Sequence, residues 1–326
     1  MSQDLSPFGA AEVRQQADAT VASHGPAVAR PSRIPRATLG RILRQRSAVV
    51  GLTLLGFLFA LALLADVLAP YDPNTSMLDL DQVGAKARAA PCIHILGCPA
   101  DQAEHFFGLD GNVRDVYSRM LYGARVSLAL GFITVGWSIL VGLFIGAIAG
   151  FFGGPTDNVL MRGMDMLLAF PALLLSIVVV TILGHGLTNA MLAVGIVSIP
   201  VYARIMRSSV LSVREQDYVT AARALGDSRL SILRRRVVPN AITPLIVQAT
   251  LGVGTAVLEI AALSFLGLGA QPPQAEWGSM IGLERNQLFT APHLIFIPGI
   301  ALVLTVLGFN LLGDGLRDAL DPRLGR

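Results

Sequence analysis

Gln216–Val247 reads QDYVTAARALGDSRLSILRRRVVPNAITPLIV, a charged, amphipathic insert between two long apolar runs. Its order is specific: the small pair Ala221-Ala222, then Gly226, then Pro239 and Asn240. Arg214 to Leu225 reads as a helix, and Gly226 can take the left-handed conformation that closes it. Asp227 or Ser228 can cap the next helix, which Pro239 is expected to stop, with Asn240 following. The pattern predicts a helix–turn–helix whose two alanines let another protein approach the backbone closely. The alternative is an amphipathic surface loop with no partner.

The runs around the insert set the class. Of 326 residues, 53% are hydrophobic and only 14% charged, with mean hydropathy +0.61. A soluble domain carries about 25% charge. The chain therefore reads as an all-α, polytopic membrane protein, each crossing needing about 20 apolar residues. Six crossings are expected: Ala48–Ala69, Val126–Phe152, Met164–Leu183, Leu187–Arg204, Ala241–Leu268 and His293–Leu312. Only Gly184, His185 and Gly186 separate the third from the fourth. The first run is too long and too late for a cleaved signal peptide. The polar stretch before it, to about Arg33, reads as a disordered tail, and Ile34 to Arg46 as a basic segment on the membrane surface.

Arginines set the expected orientation. Arg30, Arg33, Arg36, Arg41, Arg44 and Arg46 precede the first crossing, so the N-terminus is expected in the cytoplasm. Alternation puts the insert on that side with Arg207, Arg214, Arg223, Arg229, Arg234, Arg235 and Arg236, against Glu215, Asp217 and Asp227. The C-terminal Arg317, Arg323 and Arg326 agree. The expected organisation is a cytoplasmic tail and surface segment over 1–47, a first crossing over 48–69, and an extracytoplasmic loop over 70–125. A five-helix core over 126–326 follows, with the insert at about 205–240.

The insert resembles the coupling loop of bacterial ABC-importer permeases, whose pattern is E-A-A, three residues, Gly and a downstream Pro. Thr220 stands where that pattern has Glu, and Arg236 where it has Ile. Three other stretches resemble the dipeptide/oligopeptide (and nickel) permeases, C-type subunit. These are Phe107–Asp110 with Arg114–Arg119 and Leu121–Leu128; Leu263–Gly269 with Gln271–Pro273 and Trp277-Gly278; and Leu312–Arg323. Val113 stands where that family usually has Gly. The resemblance covers about residues 40 to 326.

It implies a type I ABC-importer permease fold in a bacterial inner membrane, paired with a paralogous permease. It also implies two separate ATP-binding subunits under the insert and an extracytoplasmic solute-binding protein. Asp217, Ala221, Ala222, Arg223, Gly226, Pro239 and Asn240 would form the coupling contact. Transport would proceed by alternating access, with cargo most simply di- or oligopeptides; nickel complexes, glutathione or another small solute are the alternatives. No phosphate loop of the form G-x-x-x-x-G-K-[ST] occurs, so ATP hydrolysis is expected in the partner subunits. Catalytic residues, cofactors, a metal and nucleic acid are not expected. A secondary transporter would need paired interrupted helices around a midplane site, and the insert would then be unexplained.

Glu259 lies well inside the fifth expected crossing. An ionisable group there suggests function by default; the alternative is a structural glutamate bonded to a hydroxyl or to the partner subunit. The two cysteines, Cys92 and Cys98, are both in the expected outer loop. A disulfide is the favoured reading in an oxidising compartment, with a metal site involving His94 and His105 as the alternative.

Overall fold

The computed structural model describes residues 45–320, together with Gly40 and Leu43. The expected tail, most of the basic surface segment, and Arg323 and Arg326 lie outside the described residues. Among the described residues the regular structure is helical, with two isolated β-bridges, Cys92 with His105 and Leu109 with Asp115. The helices in chain order are α1 (Arg46–Leu63), α2 (Ala65–Leu68), α3 (Val116–Phe152), α4 (Gly154–Leu168), α5 (Ala172–Leu183), α6 (Leu187–Arg214), α7 (Asp217–Ala224), α8 (Arg229–Ile232), α9 (Val238–Ala241), α10 (Thr243–Phe265), α11 (Trp277–Glu284) and α12 (His293–Leu320). Helices α1, α3, α6, α10 and α12 are each long and apolar enough to cross a bilayer, and α4 with α5 makes a sixth crossing if the bent pair counts as one.

The third expected crossing, Met164–Leu183, is not one straight helix. Its halves belong to α4 and α5, which meet at 93°. Pro171 is the reason: proline excludes helical geometry from the residue before it and supplies no N–H to the turn it enters. Helix α3 starts ten residues before the expected Val126, because Asp115 caps it, accepting from Ser118 N at 2.7 Å. Helix α6 passes through Pro200 and runs on to Arg214, so a helix from Arg214 to Leu225 does not form. The chain breaks at Glu215 and Gln216 before α7.

Helices α3 and α6 pack along a seam of small residues. A Cβ at Gly142 would stand 3.1 Å from Ile199 O, and one at Gly150 only 2.8 Å from Arg207 O; Gly146 abuts Ala203 O. Glycines every fourth residue let two membrane helices approach backbone to backbone, where lipid gives no hydrophobic drive to associate. Charges fasten the same end. Arg207 Nη2 donates to Asp157 Oδ2 at 2.6 Å and Arg204 Nη2 to Asp165 Oδ1 at 2.6 Å, tying α6 to α4. Asp165 is thus one half of an ion pair.

The opposite end of the bundle carries the loop over 70–115 and helix α11. Glu276 caps α11, accepting from Gly278 N at 2.9 Å and Ser279 N at 2.8 Å. Burial pushes its carboxyl up from the ordinary glutamate value, and those backbone donors pull it back. The buried Trp277 donates from Nε1 to Met120 O at 3.1 Å, fixing α11 against the start of α3.

Candidate functional site

The insert folds as a compact turn. Helix α7 ends in a two-bond closure: Asp227 N donates to Ala222 O at 3.1 Å and Gly226 N to Arg223 O at 3.0 Å. Gly226 sits at φ +85°, which the geometry of that closure requires and a side chain would penalise. Of the two expected caps, Ser228 is the one used, accepting from Ser231 N at 3.3 Å. Asp227 supplies the backbone bond instead.

Pro239 does not stop the helix. Residues Leu233–Val237 widen into a π turn that runs straight into α9, with Pro239 in the first turn of that helix. There the missing N–H is one of the orphan donors in any case. Asn240 Nδ2 donates to Arg236 O at 2.6 Å, supplying that carbonyl with a side-chain donor.

The two alanines part company. Ala222 is 5% exposed and faces inward with Val219, while Ala221 faces out. The helical phase decides this: positions 219 and 222 share the core-facing side, three residues apart. Ala222 is therefore a packing residue and not part of an open surface. Asp217, Arg223, Pro239 and Asn240 are exposed. Sequence reasoning missed the most prominent members of the ridge. Leu225 is 87% exposed and Leu230 69%, on either side of the Gly226 turn, in a stretch that also carries the exposed Arg223, Arg229, Arg234 and Arg235. Two bare leucines beside a glycine turn in an arginine-rich stretch were the available signal. An exposed apolar tip with a cationic rim has the composition of a protein-docking surface, apolar at its centre and polar at its edge.

At the loop end a buried polar network clamps the segment before α3. Asp110 accepts from Arg114 Nε at 2.9 Å, from Arg114 N at 2.9 Å and from Asn112 N at 2.8 Å, and Arg119 Nε stands 3.5 Å away. Arg119, 1% exposed, donates to Pro73 O at 2.8 Å and Pro273 O at 3.1 Å. Arg88 Nε reaches Glu284 Oε2 at 2.8 Å, and the other oxygen of Glu284 accepts from Gly111 N at 2.7 Å. Val113, where the resembled family has Gly, stands at φ +58°. The turn keeps its left-handed geometry and a buried valine is strained into it. Cys92 and Cys98 face each other with their Cα atoms 5.2 Å apart, inside the range that a disulfide spans. His105 Nδ1 bonds Asp115 Oδ1 at 3.1 Å, and the His94 ring bonds Gln102 O at 2.9 Å. Glu259 lies on α10, half-buried, and none of the insert residues named above is near it in sequence.

Five or six crossings, the bent α4–α5 pair and the structured insert define a type I ABC-importer permease fold. The chain belongs to the family described as binding-protein-dependent transport system inner membrane component, matched over residues 142–326; residues 36–91 match the N-terminal TM domain of oligopeptide transport permease C. It is similar to the dipeptide transport system permease protein DppC of Alkalihalophilus pseudofirmus, 41% identical over 289 residues, covering 89% of this chain and 90% of the relative. It is also similar to the glutathione transport system permease protein GsiD of Pectobacterium atrosepticum, 40% identical over 284 residues (87% and 89%). DppC of Haemophilus influenzae is 41% identical over 281 residues (86% and 92%). Among solved structures, the MetNI methionine ABC transporter in an inward-facing conformation shares the fold, with TM-score 0.53 and 19% identity over 62% of this chain and 97% of that one. The chain is thus a multi-pass inner-membrane protein of a transport family, and membership implies ATPase and binding-protein partners.

Proposed function

We propose that this chain forms half of the translocation pore of an ATP-driven importer for di- and oligopeptides, beside a paralogous permease. The observation that carries the reading is the ridge of Leu225 and Leu230, held out by the Gly226 turn between two packed helices. It supplies a contact for an ATPase subunit, with the exposed Asp217, Ala221, Arg223, Pro239 and Asn240 as further members and Ala222 supporting it from within. Both termini and the insert lie in the cytoplasm, and the loop over 70–115 lies outside, where Cys92 and Cys98 form a disulfide. The arginine distribution supports that orientation. The chain itself hydrolyses nothing; its role is to move helices when its partners close on ATP. Peptide cargo rests on the DppC relatives. Glutathione, itself a tripeptide, is the second reading and rests on the GsiD relatives.

The test is reconstitution with the partner permease, the ATPases and the binding protein in proteoliposomes. ATP-dependent uptake of dialanine, lost in Gly226→Val while that variant still inserts, is the expected result. Uptake that proceeds without ATP or without the ATPases overturns the reading. A reporter thiol at Ser228 that reacts with an impermeant reagent from outside as readily as one at Ser76 overturns the orientation.

A further inference from the structure

One side of α10 is unlike the rest of the bundle. Gln248, Gly252, Thr255 and Glu259 follow one another at spacings of four, three and four, so they form a single stripe along the helix. All four are half-buried or exposed, while the other side of α10, with Val253, Ala256, Val257, Ile260 and Leu263, is buried. The Tyr202 hydroxyl of α6 comes down beside Gly252, where a Cβ would collide with it. Thr255 bonds only back to Leu251 O, at 3.4 Å. No group of this chain pairs with the Glu259 carboxylate among the described residues.

A carboxylate inside a bilayer that faces lipid is costly, and such groups turn to a water-filled path or to a partner. A single salt bridge to a partner subunit would need one polar residue on an otherwise apolar face. Here four polar or small residues line up over about 16 Å of helix, at 1.5 Å per residue. That pattern fits a helix side that lines a wet path. Glu259 stands about 9 Å below the loop-side end of α10 on the same measure, at the first stage of an inward journey. With no cation to pair with among the described residues, it is an open acceptor for a positively charged group that arrives with the cargo.

We propose that Glu259 is a cargo-contacting residue that receives the ammonium group of a peptide in transit, with Thr255 one turn deeper on the same stripe. The inference rests on the reading of this chain as a peptide permease. It adds a specificity element within the pore, separate from recognition by the binding protein: cargo with a free amine passes, and cargo without one meets an unneutralised carboxylate.

The experiment uses the assembled transporter in proteoliposomes. Dialanine uptake is measured for wild type, Glu259→Gln and Glu259→Asp, with the subunit composition of each complex checked by co-purification. Glu259→Cys is then labelled with a cationic thiol reagent, with and without dialanine-loaded binding protein. The expected result is a fall in kcat/KM for uptake of tenfold or more in E259Q, at least a third of wild-type uptake in E259D, intact complexes throughout, and labelling of E259C slowed at least fivefold by cargo. Uptake by E259Q within twofold of wild type overturns the proposal. So does labelling that cargo leaves unchanged, or loss of the partner permease from E259Q, which would make Glu259 an interface residue. Failure of the wild type to take up dialanine would strike the peptide reading instead; the same comparison with glutathione, which also carries a free ammonium, then decides the role of Glu259.

Discussion

Replacing Asp110 by alanine removes the one carboxylate that faces both Arg114 and Arg119. Both arginines are buried, and Arg119 is held in place by two carbonyls that cannot neutralise it. Removing one partner of a buried pair costs about 3–5 kcal/mol, because the remaining charge is left uncompensated. The amides of Asn112 and Arg114 lose their acceptor as well. The damage is local, since the network joins the loop to the start of α3 and leaves the glycine seam at the other end untouched. At 1.36 kcal/mol per tenfold, the loop's opening equilibrium should rise by roughly 10²- to 10⁴-fold. Hydrogen exchange reads this directly. Met77 N donates to Val113 O at 2.8 Å and Arg88 N to Asp110 O at 3.0 Å, so both amides report on the clamp. In Asp110→Ala both should lose protection by that factor, while amides in the middle of α6 change little. Asp110→Asn, which keeps an acceptor for the two backbone amides, should fall between. Protection of Met77 and Arg88 within tenfold of wild type would refute the claim that Asp110 neutralises the buried arginines.

Three further outcomes are expected. Leu225→Asp should insert and fold normally but co-purify with far less ATPase, whereas Ala222→Arg should lower the thermal stability of the permease itself, because Ala222 is packed; equal ATPase retention by Leu225→Asp and wild type would remove the ridge from the contact. At position 113, glycine should be more stable than alanine by about 0.5–1 kcal/mol, since both lose the valine packing but only alanine keeps the left-handed strain of about 1–2 kcal/mol, offset in part by glycine entropy; melting of the two variants in detergent checks the order. The Glu276 carboxyl is raised in the folded state, so the folded protein holds that proton more tightly and the stability it confers is full at low pH. It is lost as pH rises from the ordinary value of about 4.3 through the folded one; the melting-temperature difference between wild type and Glu276→Gln should therefore shrink from pH 4 to pH 7.

The apolar runs made the helical membrane class legible, and the Gly226 turn could be read from a glycine placed after a helical stretch and before a capping serine. The bend between α4 and α5 could not be read from hydropathy, which registers how apolar a window is and not its direction. Pro171 sat in plain view but was absorbed into an apolar run. The early start of α3 was hidden because Tyr117, Arg119, Tyr122 and Arg125 depress the apolar signal where the helix already exists. Which of Ala221 and Ala222 faces inward depends on helical phase, fixed by packing of Val219 and not by the alanines. The contact of Arg88 with Glu284 spans 196 positions, and no local pattern could have joined them. The leucine ridge is only hinted at by two leucines beside a glycine turn in an arginine-rich stretch, because leucines there could equally be covered, and the fold alone shows that they are bare.

Helix α3 has 37 residues, about 55 Å at 1.5 Å per residue, against a hydrocarbon layer of about 30 Å. Its head is bolted to the Asp110 network and to Trp277, and its foot is welded to α6 through Gly142, Gly146 and Gly150. A rod of that length has no need to bend in order to carry information. Swung by ten degrees about its midpoint, it would displace each end by about 5 Å in opposite senses. A push delivered through α6 at one membrane face would reach the other face as a shift comparable to the width of a side chain, with no intervening element obliged to change its fold.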